Sequence, residues 1–165
     1  PEPENSILEI VRAFSKRPRG MKLVVLGNYR PDHPYHNAIK AAANDSVIFP
    51  GAIYDKEILQ ALRFFSACYV HGHTVGGTNP SLVEALGAGS PILAHDNKYN
   101  RWVAGEGAMY FSDEAECARL LDDIERGSVD IDSKRLALRK RKAEAFTWDQ
   151  VHHAYEELLV DVAGG

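Results

Sequence analysis

The chain has 165 residues, 45% of them hydrophobic and 25% charged, and carries a net charge of −4. That is the makeup of one globular domain able to bury a sizeable core, and it excludes a disordered or low-complexity chain. The acidic balance leaves no global basic field, so nucleic acid is not an expected partner, and no apolar run reaches the roughly 18 residues of a membrane helix.

The opening PEPENSILEI lacks the basic and long apolar regions of a secretory signal, so a cytoplasmic chain is expected. Residues 5–17 place Ile7, Ile10, Val11 and Phe14 at helical spacing, and Pro18 and Gly20 stop the helix. Lys22–Gly27 (KLVVLG) is a continuous apolar run, the pattern of a parallel strand buried on both faces. A proline-broken loop, a short helix over 35–43 and the strand Ser46–Phe49 follow. Asp55 caps a helix over 56–65 whose inner stripe is Ile58, Leu59, Leu62 and Phe65. Ala67–His71 reads as a strand, 81–88 as a helix, Pro91–His95 as a strand, Lys98–Val103 as a short helix and Ala108–Phe111 as the last strand. Ser112 is placed as the cap of a helix with inner residues Cys117, Leu120, Leu121 and Ile124. A basic helix spans 133–145. Thr147 and Gln150 form a capping box for a final helix, with Trp148, Val151, Tyr155, Leu158, Leu159 and Val162 on its buried side. Cys68 and Cys117 are expected to be separate buried thiols.

Strands alternate with helices five times, which predicts an α/β fold: an open parallel sheet with helices on both faces. Ligands of such sheets bind beyond the carboxyl ends of the strands, here after Gly27, Phe49, His71 and His95. A helix precedes the first strand. The expectation is either a truncated piece or a sheet that lacks its first, central strand; if the chain starts at Pro1, that position is empty or filled by another chain.

The stretch Tyr69–His95, YVHGHTVGGTNPSLVEALGAGSPILAH, combines a glycine-rich loop with a helix start. Gly76 and Gly77 let backbone N–H groups approach a ligand, and Ser81 is read as the N-cap. Free amides at the positive end of a helix favour an anion, so the loop reads either as a phosphate cradle or as a plain strand-to-helix turn. Glu84 reads either as the far half of a capping box with Ser81 or as an acceptor for sugar hydroxyls. His71 and His73 fall on one face of a strand. They read as polar groups at a cleft mouth, and no metal site is expected. His152 and His153 are placed on the final helix as solvated or structural. Arg139–Lys142 is read as a solvated face able to touch anionic lipid.

Asn79–Ala94, NPSLVEALGAGSPILA, resembles the donor-site signature of retaining family 4 glycosyltransferases, which have the GT-B fold of two Rossmann-like domains facing across a cleft. The family pattern runs E-G-F-G-x-P-x-x-E-A-x-A-x-G-x-P-V-V-A, and Gly77, Glu84, Ala85, Gly89, Pro91 and Ala94 fit it in register. PEPENSILEIVRAF, KLVVLG, VIFPGAIYDKEI and FTWDQVHHAYEELL extend the likeness over nearly the whole chain. HGHTVGGTNPSLVEALGAG is most similar to bacterial rhamnosyltransferases, which use a deoxythymidine-diphosphate sugar and act in polysaccharide biosynthesis.

The resemblance implies a single nucleotide-sugar-binding domain over residues 1–165, the C-terminal half of a GT-B enzyme, without its N-terminal acceptor-binding domain. The implied reaction transfers a sugar to a hydroxyl of a glycan or lipid-linked acceptor, with peripheral contact at the inner face of the membrane. It implies that His73, Gly77, Thr78, Asn79, Pro80 and Ser81 hold the diphosphate and sugar. Glu84 and Leu82 meet the ribose, and Ala52 and Ile53 meet the base through their backbone. No cofactor is implied, and the isolated chain is expected to bind without turnover. Three departures stand against the pattern. Gly76 occupies the place of the family's first glutamate, a lysine usual near Asn5 is absent, and the usual arginine would precede Pro1. No catalytic residue is therefore assigned; His73, if protonated, Lys98 or Arg101 would have to supply the missing positive charge. Two other readings remain open: a GT-B epimerase or phosphorylase, and a non-enzymatic α/β nucleotide-binding module.

Overall fold

The computed structural model describes residues 1–164; Gly165, the last residue of the expected domain, lies outside the described residues. A one-turn 3-10 helix, Pro3–Asn5, leads into α1 (Ile7–Ser15). Then come β1 (Leu23–Val24), α2 (Pro34–Ala42), β2 (Val47–Ile48), α3 (Lys56–Phe65), β3 (Tyr69–His71), α4 (Pro80–Ala88) and β4 (Ile92–His95). The chain ends with α5 (Lys98–Ala104), β5 (Met109–Phe111), α6 (Glu114–Glu125), α7 (Ile131–Ala145) and α8 (Trp148–Gly164). The order is that of the predicted α/β alternation.

All pairing among these strands is parallel, but the strands form two sheets. One pairs β1 with β2, Leu23 opposite Val47 and Val24 opposite Ile48. The other runs β3-β4-β5, with Tyr69 opposite Ile92 and Leu93 opposite Met109. Side chains alternate across the larger sheet as a strand period of two requires. Leu93, Met109 and Phe111 enter a core with Ile10 and Phe14 of α1 and Leu121 of α6. Ile92 and Ala94 enter the opposite core with Leu82 and Leu86 of α4, Val103 of α5 and Leu138 of α7. Helices thus cover both faces. Each fully buried Leu or Ile contributes about 1.5–3 kcal/mol of transfer free energy.

Three expectations are corrected by this arrangement. KLVVLG is not buried on both faces: only Leu23–Val24 pair, and Val24 is 43% exposed. The stripe of α3 is largely exposed too, with Phe65 at 81%, although Asp55 caps the helix as predicted, accepting from the N–H groups of Glu57 and Ile58 at 2.9 and 3.1 Å. Both corrections have one cause. The sheet is open between β1 and β3, leaving a slot of about 920 Å³ walled by those strands, α1 and α3. The third concerns α8, whose Trp148, Val151, Tyr155, Leu158, Leu159 and Val162 are exposed rather than buried because nothing among the described residues packs on that face. Its capping box does form: Gln150 N–H donates to Thr147 Oγ1, and Thr147 N–H to Gln150 Oε1, each at 3.3 Å.

Smaller differences are local. Asp113, not Ser112, caps α6, accepting from Glu116 N–H at 2.8 Å, while the Glu116 carboxylate reaches back to Ser112 N–H at 3.0 Å. Arg141 lies within the basic run but is not solvated: its guanidinium donates to the carbonyls of Trp102 and Val103 and joins α7 to α5. Cys68 and Cys117 are free thiols, pushed up to about 12 by burial. Unforeseen from sequence is a charge cluster joining the end of α1 to α6. Arg19, buried, donates to Phe14 O at 2.9 Å and pairs with Asp122 at 2.6 Å and Glu125 at 3.3 Å; Arg17 meets the same carboxylates.

Candidate functional site

The turn from β3 into α4 sits at the carboxyl end of the larger sheet. Asn79 caps α4: its Oδ1 accepts from Ser81 N–H at 3.0 Å and from the Ser81 hydroxyl at 2.8 Å. The cap is two residues earlier than the sequence reading placed it. A proline at the first helical position suits this, since its missing N–H would have been unpaired there. Ser81 is instead the middle of a chain of polar groups. The Tyr69 hydroxyl donates to Ser81 Oγ at 3.1 Å and lies 3.4 Å from His71 Nδ1.

His71 and His73 stack, ring centres 4.6 Å apart and planes at 11°, so they do share one face. Burial pulls the His71 imidazole down to about 3, with the neighbouring His73 adding to the fall. His73 is also lowered by burial, against the pull of Glu4. Both rings are therefore neutral near pH 7, and His73 is not a standing cation. His71 Nε2 is buried without a hydrogen-bond partner. Among the described residues no group of three or more His, Cys, Asp and Glu converges.

The stretch leading to the glycines is held from two sides. The side-chain amides of Asn97 and Asn100 both donate to His73 O at 2.9 Å, and Thr74 N–H donates to Glu4 O at 2.8 Å. Gly76, Gly77 and Thr78 then project into solvent. Gly76 has φ +105°, which accounts for its lack of a side chain. Gly77 has no such reason: its φ is not in the left-handed region, and nothing lies within 4 Å of where its Cβ would stand. A glycine that the fold does not need is what close approach of a ligand to the backbone would require.

The predicted residues divide into two groups. Gly77, Thr78, Asn79, Pro80, Ser81 and Glu84 share the loop and first turns of α4. The Leu82 side chain is fully buried in the core, so only its backbone lies at the helix start. Glu84 does not form the capping box with Ser81. Its carboxylate, 51% exposed, pairs with Arg63 of α3 at 2.8 Å. Ala52 and Ile53 are half-buried in the loop after β2, on the smaller sheet. Of the candidate cations, Arg101 is committed to Asp96 at 2.5 and 2.7 Å, and Lys98 Nζ lies 5.0 Å from the centre of the Tyr99 ring. Sequence reasoning missed Arg63 and Tyr69. Neither carries a motif, since their roles depend on α3 and β3 meeting α4.

No family model matches the chain. It is 29% identical over 171 residues to an alpha-monoglucosyldiacylglycerol synthase of Streptococcus pneumoniae, covering 95% of this chain and 37% of that protein. Among solved structures it superposes on Anabaena HepE in complex with UDP, with a TM-score of 0.80 and 14% identity over 97% of this chain and 46% of that one. HepE in complex with UDP-glucose gives 0.75 and 16%, over 98% of this chain and 46% of that one. Sucrose-phosphate synthase of Thermosynechococcus elongatus gives 0.77 and 20%, over 97% of this chain and 44% of that one. The chain thus spans less than half the length of each of these proteins, and its fold is that of the C-terminal half of a GT-B glycosyltransferase.

Proposed function

We propose that this chain is the donor-binding half of a glycosyltransferase and holds a pyrimidine nucleoside-diphosphate sugar. The observation that carries the reading is the exposed Gly76–Gly77 loop running into the capped start of α4, with the Glu84 carboxylate one turn further on. The diphosphate lies against the loop amides and the positive end of α4, where each favourable charge interaction contributes about 0.3–1 kcal/mol. Glu84 exchanges Arg63 for the ribose hydroxyls, and the backbone at Ala52 and Ile53 meets the base. The transferred sugar lies by His73, Thr78 and Asn79. Fixed N–H dipoles aimed at the departing diphosphate stabilise the negative charge that grows on it.

The finer parts of the reading have separate supports. The UDP and UDP-glucose of the HepE complexes support uridine, and the form of HGHTVGGTNPSLVEALGAG supports deoxythymidine diphosphate with rhamnose. A lipid hydroxyl as acceptor is supported by the pneumococcal relative, an alpha-monoglucosyldiacylglycerol synthase, while a glycan acceptor and contact with a membrane rest on the family resemblance. Retention of configuration rests on the family resemblance. Calorimetric titration with uridine and deoxythymidine diphosphates tests the site itself. One of them binding with one-to-one stoichiometry is the expected result, and absence of heat with both would overturn the assignment.

A further inference from the structure

We infer that His71 determines specificity for the transferred sugar, its Nε2 accepting a hydrogen bond from one hydroxyl of that sugar. This role rests on the donor-site reading, whose sugar subsite it completes.

The cap of α4 dictates which nitrogen of His71 carries the proton. Asn79 Oδ1 can only accept, and it takes both the Ser81 N–H at 3.0 Å and the Ser81 hydroxyl at 2.8 Å. With its one proton given away, Ser81 Oγ accepts from the Tyr69 hydroxyl at 3.1 Å. Tyr69 has then spent its own proton, so its oxygen accepts from His71 Nδ1, 3.4 Å away. Each link runs towards the helix cap and none can be reversed without breaking the next. His71 is therefore the tautomer with hydrogen on Nδ1 and a bare lone pair on Nε2. Burial keeps the ring neutral near pH 7, so that lone pair stays free to accept.

Nothing among the described residues uses it. His71 is 1% exposed, and its Nε2 is buried without a hydrogen-bond partner. Buried polar atoms are ordinarily paired, because an unpaired one has lost its water for no return. The packing makes no call for an imidazole here. His71 lies opposite Ala94 of β4, on the face of the sheet that carries Leu82 and Leu86 of α4, where an apolar side chain would leave no orphaned atom.

The place and the chemistry select the partner. His71 ends β3, and with Tyr69, His73 and Ser81 it lines the slot where that strand runs into the loop before α4. His73 is half-buried and stacks on it, the planes at 11°, so the two rings turn their edges to the same side. His73 forms the outer part of this wall and His71 the inner part. A bare nitrogen lone pair repels phosphate oxygens and attracts a hydroxyl. Of the donor's hydroxyls, those of the ribose fall to Glu84, and those of the sugar beside His73 remain. A site built to pair a hydroxyl discriminates strongly against a ligand that lacks it.

The test titrates UDP, UDP-glucose, deoxythymidine diphosphate and its rhamnose derivative into the chain and into His71→Phe. The variant should bind the nucleotide sugar about tenfold more weakly and the nucleoside diphosphate as the parent does. His71→Gln, whose amide oxygen can accept, should recover part of the loss. One singly deoxygenated form of the sugar should bind the parent about tenfold more weakly, yet bind His71→Phe as well as the complete sugar does. Equal loss for diphosphate and nucleotide sugar would make His71 a support of the α4 cap through Tyr69, and loss for neither would leave Nε2 to an ordered water; either result overturns the inference. Should His71→Phe not fold, the parent labelled with 15N-histidine decides. Its His71 Nε2 resonance should shift with nucleotide sugar and stay in place with nucleoside diphosphate, and any other pattern, or a proton found on Nε2, overturns the inference. Binding of none of the four ligands would remove the donor site and this role together, whereas diphosphate binding without the sugar-dependent effects counts against His71 alone.

Discussion

Under the proposed function, the Glu84 carboxylate serves two states. With no ligand it is held by Arg63, a half-exposed pair of the kind that contributes about 0–1 kcal/mol. A bond so weak is released easily to a better partner. Glu84→Gln should therefore leave Tm within about 2 °C of the parent, since a loss of under 1 kcal/mol moves it little. Affinity for the nucleoside diphosphate should fall about tenfold, or 1.4 kcal/mol; an unchanged titration curve would remove Glu84 from the site. Gly77 allows the complementary experiment. Space around its Cβ position is open, so Gly77→Val should fold with the parent's stability, yet its side chain would stand where the proposed function has the diphosphate approach. Binding lost with Tm unchanged is the expected pair of results. Equal loss of both would make the loop a structural turn.

At the scale of the element, the joint between α1 and α6 and the exposure of α8 make opposite demands. Arg19 is buried among backbone carbonyls, with Asp122 and Glu125 beside it. Removing one partner of a buried pair costs about 3–5 kcal/mol. Arg17 still meets both carboxylates, so Arg19→Met should cost less, about 2–3 kcal/mol, read as a lower urea midpoint at constant slope. α8 is the converse. Its apolar residues pack on nothing among the described residues, so ending the chain after Phe146 should move the urea midpoint hardly at all. A drop as large as that for Arg19→Met would mean that α8 docks on this domain. The sequence disclosed the stripe of α8 but not what lies opposite it, because periodicity records which face is apolar and says nothing of the partner.

For the whole molecule, the order of elements was legible because apolar runs of four to six residues alternated with helical stripes. The loop between β3 and α4 was legible because glycines and a helix start stood together. The open sheet was legible only as an irregularity of order; that it divides the ladder in two depended on where β1 and β3 settle. The cap of α4, the Glu84–Arg63 pair and the Arg19 cluster were not legible, since each joins residues through contacts that spacing does not encode. The buried histidine gives the fold an acid sensitivity. His71 takes up protons near pH 6.5 when unfolded but only near pH 3 when folded. The unfolded chain thus binds more protons between those values, and stability should be complete above pH 6.5 and fall on acidification by up to about 1.4 kcal/mol per pH unit. Urea midpoints from pH 7.5 to 4.5 should show that slope, and His71→Gln should flatten it; a slope unaltered by the substitution would assign the protons elsewhere. The two tryptophans carry a different consequence. Trp102 is 58% exposed and Trp148 76%, and Phe146 packs edge-on against Trp102 at the junction of α7 and α8. Tryptophan emission thus arises from two exposed rings on either side of Phe146, red-shifted by water. Anything that covers α8 will turn it blue, while the filling of the slot or the cradle leaves the spectrum dark to the event.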